Sequence, residues 1–272
     1  MKASSQHTVR FAVTAAFALS ALLTTRPADA AQPSASGPLF KPGVNLLMNP
    51  SHEGPGVYFA GRNEMLVSWG WVPFWADAPA ELDKRHPDFR APEFRMSDAY
   101  APGLGGRVRS EMLSDHGFNF YASNPTAGFM QYVKNIRPGS PVRFTTYAML
   151  WTSNVGNTFP PKSEQPGDLQ AKVCIDQDGG PRNHLDPNLV CSEWTNKHDQ
   201  WYQISVDGVA KTSTVNAFMW VRSTMHVQHN DYYMDDSCFE ILPRAGAKGV
   251  CNDGGLVPTG KGVTEWYKAY DK

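Results

Sequence analysis

The sequence shows almost no helical periodicity and no excess of charge of either sign. It has 25 Lys and Arg against 26 Asp and Glu, for a formal net charge of -1. Such a mixed charge gives no indication of a nucleic-acid partner or of binding to an anionic membrane. The chain also lacks a Ser nucleophile elbow, a phosphate-binding loop, a dinucleotide fingerprint and a Cys-x-x-Cys motif. Its motifs therefore indicate no common catalytic class.

The first thirty residues have the features of a secretory signal peptide. Lys2 and Arg10 form a charged start, residues 11–23 are apolar, and residues 28–30 (Ala-Asp-Ala) form a small-residue cleavage site. The apolar run is shorter than the ~20 residues that a membrane-spanning helix needs. We therefore expect cleavage after Ala30, export to the cell envelope or beyond it, and no membrane insertion.

The rest of the chain is predicted to form one all-β domain. Residues 31–43 contain Pro, Ser and Gly and are predicted to be a flexible leader. From residue 44 onward, short β-type runs recur at regular spacing between Pro- and Gly-containing turns. This pattern predicts an antiparallel β-sandwich or jelly roll over residues 44–242. We expect the Gly-rich tail, residues 243–272, to pack on that domain.

Two predicted strands show which side faces the core. The predicted strands are residues 45–48, 66–72, 108–113, 119–122, 128–133, 142–151, 170–176, 200–206, 214–223 and 232–242. In residues 143–151, a period of two places small and apolar side chains on one side and Tyr147 and Trp151 on the other. Trp220 and Arg222 fall on the corresponding side of residues 217–223. We expect the small side to face the core and the amphipathic side to be a candidate ligand surface.

The four cysteines are Cys174, Cys191, Cys238 and Cys251. An even number in an exported protein favours two disulfides. Sequence order favours Cys174 with Cys191 and Cys238 with Cys251, because each pair would close a local loop. Three connectivities are possible, and the sequence leaves the other two open.

Acidic residues lie in strand-like segments near both ends of the predicted domain. Glu53 ends residues 45–53, and Asp235 lies within residues 232–241. A period of two places Asp235 on the same side as Phe239. An unpaired carboxylate on an apolar face is costly, so it needs a partner. A cation shared by the two segments is one such partner, and backbone hydrogen bonds without a metal are the alternative.

Four segments, in this order, carry a family resemblance. They are residues 45–53 (NLLMNPSHE), 69–71 (WGW), 128–139 (GFMQYVKNIRPG) and 233–236 (YMDD). The series resembles the galactose-binding-like jelly roll of carbohydrate-binding modules, like those of families 4, 9 and 22, found beside bacterial xylanases and cellulases. Within that fold the chain is most similar to exported, single-domain bacterial proteins of unassigned function.

The resemblance implies a structural calcium ion and a polysaccharide ligand. Modules of this type commonly hold calcium between the two segments that contain Glu53 and Asp235 here, with backbone carbonyls as further ligands. Calcium takes 6–8 oxygen ligands, so carbonyls from loops fit its chemistry. Aromatic rings that stack on sugars, with polar groups beside them, are the candidate ligand-binding residues. These are Trp151, Trp220 and Arg222, followed by Trp75, Tyr147 and Asn230.

We therefore expect a secreted, monomeric, non-catalytic carbohydrate-binding domain with a structural calcium site and no nucleic-acid partner. One alternative is an envelope structural or protein-interaction domain with the same fold. Another is a glycan-active enzyme, since the acidic residues 81–93 and the segment that contains His226, His229 and Asp231 supply groups for acid/base chemistry.

Overall fold

The computed structural model describes residues 43–75, 92–99, 107–120, 126–155, 162–180, 186 and 189–253. Its strands are β1 (Gly56–Tyr58), β2 (Leu66–Ser68), β3 (Val72–Trp75), β4 (Glu93–Asp98), β5 (Leu113–Phe120), β6 (Thr126–Lys134), β7 (Pro141–Ser153), β8 (Gln170–Asp176), β9 (Val190–Cys191), β10 (Tyr202–Val209), β11 (Thr214–Arg222) and β12 (His229–Ile241). Short 3-10 turns cover Phe59–Gly61 and Val250–Asp253. Within these ranges no helix has the length and apolar character to cross a membrane. The predicted signal peptide, and the predicted leader except Gly43, lie outside the described residues.

Two five-stranded antiparallel sheets form the domain. The first sheet has the order β10-β7-β12-β5-β4, the second has the order β3-β6-β11-β8-β9, and β1 pairs with β2. From β5 to β8, and again from β10 to β12, consecutive strands alternate between the sheets. This alternation is typical of a jelly roll. The predicted all-β antiparallel sandwich is confirmed.

The core lies between the sheets, and each sheet has a second cluster of aromatic residues on its outer face. The core includes Phe144, Ala148 and Leu150 of β7 and Ala217, Met219 and Val221 of β11. On the other side of β7, Met149 and Trp151 pack with Tyr233. On the other side of β11, Phe218 packs with Trp220. The predicted division of both strands into a core side and an outer side is confirmed.

Two disulfides join strands to neighbouring segments. Cys174–Cys191 connects β8 to β9, and Cys238–Cys251 connects β12 to the turn Val250–Asp253. These are the two pairs that sequence order favours. Their sequence separations are 17 and 13 residues. Closing loops of this length stabilises a fold by about 3 kcal/mol.

The first part of the C-terminal tail contacts the first sheet. The buried carboxylate of Glu240 accepts hydrogen bonds from the backbone N–H groups of Val250 at 2.8 Å and Cys251 at 3.0 Å. The side-chain amide of Gln203 donates to the carbonyl of Cys251 at 3.0 Å. Residues 254–272 lie outside the described residues, so packing of the whole tail stays a prediction.

The predicted strand at residues 108–113 is wrong. Residues 109–112 form bends, Glu111 has a positive φ of 55°, and β5 begins only at Leu113. Most of β5 escapes prediction because its buried positions are largely polar, as at Ser114 and His116, and β4 is missed because it buries only Phe94 and Ser97. Sequence patterns identify a strand by its apolar residues, so a strand that buries polar groups is missed.

Candidate functional site

The predicted ligand-binding residues lie in different parts of the sandwich. Trp151 and Tyr147 are on β7 and project from the outer face of the first sheet, whereas Trp220 and Arg222 are on β11 of the second sheet. The expectation of one ligand surface shared by these four side chains is therefore wrong. Alternation within a strand shows which side is outer, but not to which sheet the strand belongs.

The remaining two predicted residues face the core. Trp75, at the end of β3, packs against the core and lies 6.4 Å from the Phe94 ring, measured between ring centroids. Asn230 is fully buried on β12, two residues before the core residue Tyr232. Trp75 and Asn230 thus lie apart from both outer faces.

Six side chains form a polar cluster on the outer face of the first sheet. We use this name for Arg95, Arg107, His116, Trp151, Asp231 and Tyr233. The strand register places Asp231 between Phe118 and Trp151, and Tyr233 between His116 and Met149. Strands β4, β5, β7 and β12, with the segment before β5 that carries Arg107, therefore bring these groups together from distant parts of the sequence.

A chain of hydrogen bonds runs through the polar cluster. Nε2 of His116 lies 2.8 Å from Oδ1 of Asp231, and Nε of Arg95 donates to Nδ1 of His116 at 3.1 Å. Because a guanidinium can only donate, Nδ1 must accept, and Nε2 carries the proton that bonds to the carboxylate. Burial lowers the pKa of His116 to about 4, although Asp231 raises it in part. The imidazole is therefore neutral at pH 7.

Aromatic rings pack against the charged and polar groups of the polar cluster. Arg107 donates to the hydroxyl of Tyr233 at 2.9 Å, and its Cζ lies 4.7 Å from the centre of the Trp151 ring. His116 stacks on Tyr233 at 4.1 Å between ring centroids. Trp151 is 0% exposed, so its ring is covered and is not an open platform for a sugar. Oδ2 of Asp231 is buried and has no hydrogen-bond partner among the described residues.

Four other side chains form a cation–indole cluster on the outer face of the second sheet. We use this name for Lys172, Trp194, Trp220 and Arg222. In the register of β8 and β11, Lys172 lies opposite Trp220. The two indoles meet edge to face, with ring centroids 5.7 Å apart. A bridge between Ala171 and Thr195 positions the segment that carries Trp194.

The cations of this cluster lie over the indole rings. Nζ of Lys172 is 4.5 Å from both ring centroids, and Cζ of Arg222 is 4.1 Å from that of Trp194. Nε of Arg222 also donates to Oε1 of Gln170 at 3.0 Å. Burial, and then the charge of Arg222, lower the pKa of Lys172. Arg222 is exposed and the other three side chains are partly exposed, so this cluster is open to solvent.

The two segments that carry Glu53 and Asp235 lie together, as expected. Asn45 donates to the carbonyl of Ser237 at 2.9 Å and accepts the N–H of Phe239 at 3.0 Å. The two ring nitrogens of His52 lie 2.8 Å from Oδ2 of Asp115 and 2.8 Å from Oγ of Ser237. The N-terminal segment is thereby attached to both β5 and β12.

The predicted orientation of Asp235 is wrong because β12 contains a bulge. The register with β7 shifts between Asp235 and Cys238, and Asp236 has a φ of +45°. Asp235 lies opposite Tyr147 on the outer side, whereas Phe239 is in the core. A bulge inserts one residue and therefore reverses the alternation beyond it.

Both carboxylates of the predicted calcium site accept backbone hydrogen bonds. Oδ2 of the buried Asp235 accepts the N–H of Arg109 at 3.1 Å, and Oε1 of Glu53 accepts those of Met112 and Leu113 at 2.9 Å. Burial raises the pKa of Asp235 to about 7, and the charge of Glu53 adds to this effect. These N–H contacts are those of the alternative in which backbone hydrogen bonds, without a metal, satisfy the carboxylates. Carboxylate oxygens are also among the ligands that calcium takes. No group of three or more His, Cys, Asp or Glu suited to a metal occurs in the described residues.

Sequence reasoning missed six residues of the two clusters, which are Arg95, Arg107, His116, Tyr233, Lys172 and Trp194. Lys172 alternates with the core residues Ala171 and Val173, so a period of two could have placed it on the outer side. Its contact with Trp194 depends on the bridge after β9, which no local pattern indicates. His116 lies in the strand whose buried residues are polar.

No family model matches the chain. No curated protein matches it in sequence either. Among solved structures, it is similar to TmCBM61 in complex with β-1,4-galactotriose, with 10% identity, a TM-score of 0.40, and coverage of 73% of this chain and 99% of that one. It is also similar to the CBM22-1 xylan-binding domain of Paenibacillus barcinonensis Xyn10C, with 12% identity, a TM-score of 0.43, and coverage of 76% and 99%. A third is a Stig cyclase from Fischerella sp. TAU, with 10% identity, a TM-score of 0.43, and coverage of 74% and 98%. These similarities assign neither a ligand nor an activity to this chain.

Proposed function

We propose that the protein is an exported carbohydrate-binding domain that acts without catalysis and binds its ligand at the cation–indole cluster. The observation that carries this proposal is the accessible pair Trp194 and Trp220 on the outer face of the second sheet. The C–H faces of sugar rings are apolar and stack on aromatic rings, while nearby polar groups bind the hydroxyls. Lys172 and Arg222 are placed to supply such donors.

Binding of polysaccharides tests the proposal. We would measure the mobility of the full chain in native gels that contain single polysaccharides, for wild type, Trp194→Ala and Trp220→Ala. Trp201→Ala is the matched control, because Trp201 is also partly exposed but lies beside Tyr233 at the first sheet. We expect retardation that both cluster variants lose and the control keeps. No retardation by any polysaccharide, or retardation unchanged in both cluster variants, would overturn the proposal, and a crosslinked protein partner would then favour the envelope-interaction alternative.

We also propose that Glu53 and Asp235 hold a structural calcium ion. The support is the position of both carboxylates beside the same backbone segment, residues 109–113, with Asp235 buried. A ligand that binds only the folded state stabilises it by mass action. We expect a chelator to lower the melting temperature, added calcium to restore it, and Glu53→Gln to remove this response. Glu64→Gln, which changes an exposed carboxylate paired with Arg62, is the control. A melting temperature that calcium does not change in wild type would contradict the assignment.

A second candidate function is acid/base chemistry on a glycan at the polar cluster. It is favoured by one observation, the buried Oδ2 of Asp231, which has no partner among the described residues, beside the neutral His116. Buried titratable pairs of this kind are common at catalytic sites. Polysaccharide turnover that Asp231→Asn abolishes, while Trp220→Ala leaves it intact, would establish this function. Absence of turnover with all polysaccharides that the protein binds would exclude it.

A further inference from the structure

Lys172 and Arg222 both lie over the indole of Trp194, and neither has an acidic partner within ion-pair distance in the described part of the chain. Arg62, Arg109, Arg143 and Lys211 each lie within ion-pair distance of a carboxylate. No carboxylate in the described ranges lies within 4.0 Å of either cation of the cation–indole cluster. Both positive charges instead lie over the indole of Trp194, and Lys172 also lies over that of Trp220.

Two acidic residues near the cluster in the sequence, Glu193 and Asp168, form no ion pair with its cations. Glu193 attracts Lys172 only weakly, as the smallest of the effects on its pKa. Asp168 accepts hydrogen bonds from Ser223, Thr224 and Met225, at distances of 2.7, 3.0 and 2.9 Å from Oδ1, and so caps the turn after β11. The cluster therefore presents uncompensated positive charge to solvent.

Holding two like charges together is unfavourable unless an anion relieves their repulsion. Lys172 is partly buried, which adds the cost of removing its ammonium from water. Arg222 is exposed, and a guanidinium can bind a carboxylate or sulfate through two parallel hydrogen bonds. The indoles beside these cations provide the surface on which a sugar ring can stack.

We infer that the ligand of the cation–indole cluster is an anionic polysaccharide, one that carries uronate carboxylates or sulfate groups. This inference rests on the proposed carbohydrate-binding function and names its ligand class. The sugar ring packs against Trp194 and Trp220, and its anionic group lies between Lys172 and Arg222. The same surface binds a neutral polysaccharide more weakly, because stacking remains and the charge-assisted hydrogen bonds are lost.

Calorimetric titration of the full chain with four polysaccharides tests the inference. Polygalacturonate supplies carboxylates, dextran sulfate supplies sulfates, and xylan and dextran without charged substituents are the neutral probes. We expect at least one anionic probe to bind roughly tenfold more tightly than the neutral ones, which corresponds to one charge-assisted hydrogen bond. This advantage should decrease between about 50 mM and about 300 mM salt. The two anionic probes distinguish carboxylate from sulfate recognition.

Variants distinguish specific binding at the cation–indole cluster from non-specific electrostatic attraction of an anionic polysaccharide to the protein surface. Lys172→Met and Arg222→Gln should each weaken the anionic probe roughly tenfold and the neutral probes by a clearly smaller factor, because with a neutral sugar only a hydrogen bond to a hydroxyl is lost. Lys211→Met removes a positive charge elsewhere, from an exposed lysine near Asp178, and should have no such effect. Equal losses in Lys211→Met and Lys172→Met, or neutral binding as tight as anionic binding, would overturn the inference while the proposed function stands. Absence of binding to all four probes would overturn both.

Discussion

The two outer faces of the sandwich differ in whether their polar groups are paired with one another. On the first sheet, Arg95, His116 and Asp231 form a continuous hydrogen-bonded chain, and the last two are fully buried. On the second sheet, Lys172 and Arg222 share the indole of Trp194, and no carboxylate of the described residues lies within ion-pair distance of either. Polar groups that satisfy one another contribute to the folded state. Like charges held together cost stability, and such groups are retained where function requires them.

The largest expected effect comes from interrupting the hydrogen-bonded chain of the first sheet. His116→Phe keeps a ring that can stack on Tyr233 but leaves the carboxylate of Asp231 without its donor. The imidazole is neutral, but removing it takes a donor from a buried carboxylate, and an uncompensated buried charge costs about 3–5 kcal/mol. We expect a loss of this size in the free energy of unfolding, measured with urea. Arg222→Gln on the second sheet should change the same quantity by less than about 0.5 kcal/mol.

His116→Gln is the control for this comparison, because its amide can donate to Asp231 and accept from Arg95. It should recover more than half of the stability that His116→Phe loses. If His116→Phe and Arg222→Gln have equal small effects, the first face does not depend on its hydrogen-bonded chain, and the contrast between the faces fails.

The pH dependence of the free energy of unfolding also tests the polar cluster on the first sheet. The pKa of His116 is about 4 in the folded chain, against an ordinary value of 6.5. Between these two pH values the unfolded chain therefore binds a proton that the folded chain does not. Stability therefore decreases as the pH falls from 7 to 4, by up to about 3 kcal/mol from this group. Asp235, with a pKa raised to about 7, acts in the opposite direction. Subtracting the pH profile of His116→Gln isolates the imidazole, and identical profiles would contradict the assignment.

The two disulfides allow a matched comparison, since one belongs to each sheet. Replacing Cys174 and Cys191 by Ala, or Cys238 and Cys251 by Ala, should each cost about 3 kcal/mol in the free energy of unfolding. Only the first pair lies next to the segment that carries Trp194. We therefore expect the first double variant to weaken polysaccharide binding and the second to leave it unchanged, as measured by titration well below the melting temperature. Equal binding in both would show that β9 does not position Trp194.

The sequence predicts the parts of this molecule that follow local alternation. The core side of β7 and β11, the outer position of Trp220 and Arg222, and the two disulfides all follow from spacing within one segment. The bulge at Asp235 reverses the expected side of that carboxylate, because alternation does not register an inserted residue.

The order of strands in the sheets is the main feature that the sequence does not predict. Trp151 and Trp220 occupy equivalent outer positions on their strands, yet they belong to different sheets and to different environments. The contact between Lys172 and Trp220 depends on β8 pairing with β11, across more than forty intervening residues. Such long-range pairing is set by how the whole sandwich packs, which a reading of single segments does not include.

Lys172→Met has the smallest expected effect on stability. It tests most directly whether the outer face of the second sheet, unlike that of the first, contributes little to stability. Lys172→Met removes the partly buried ammonium but keeps an unbranched apolar chain that can contact both indoles. The variant loses two cation–aromatic contacts of about 0.5–1 kcal/mol each and gains relief from desolvation and from repulsion by Arg222. We expect a change in the free energy of unfolding within about 0.5 kcal/mol, because these effects oppose each other. A loss above about 2 kcal/mol would mean that Lys172 is held for stability, as His116 is, and the two faces would then be alike.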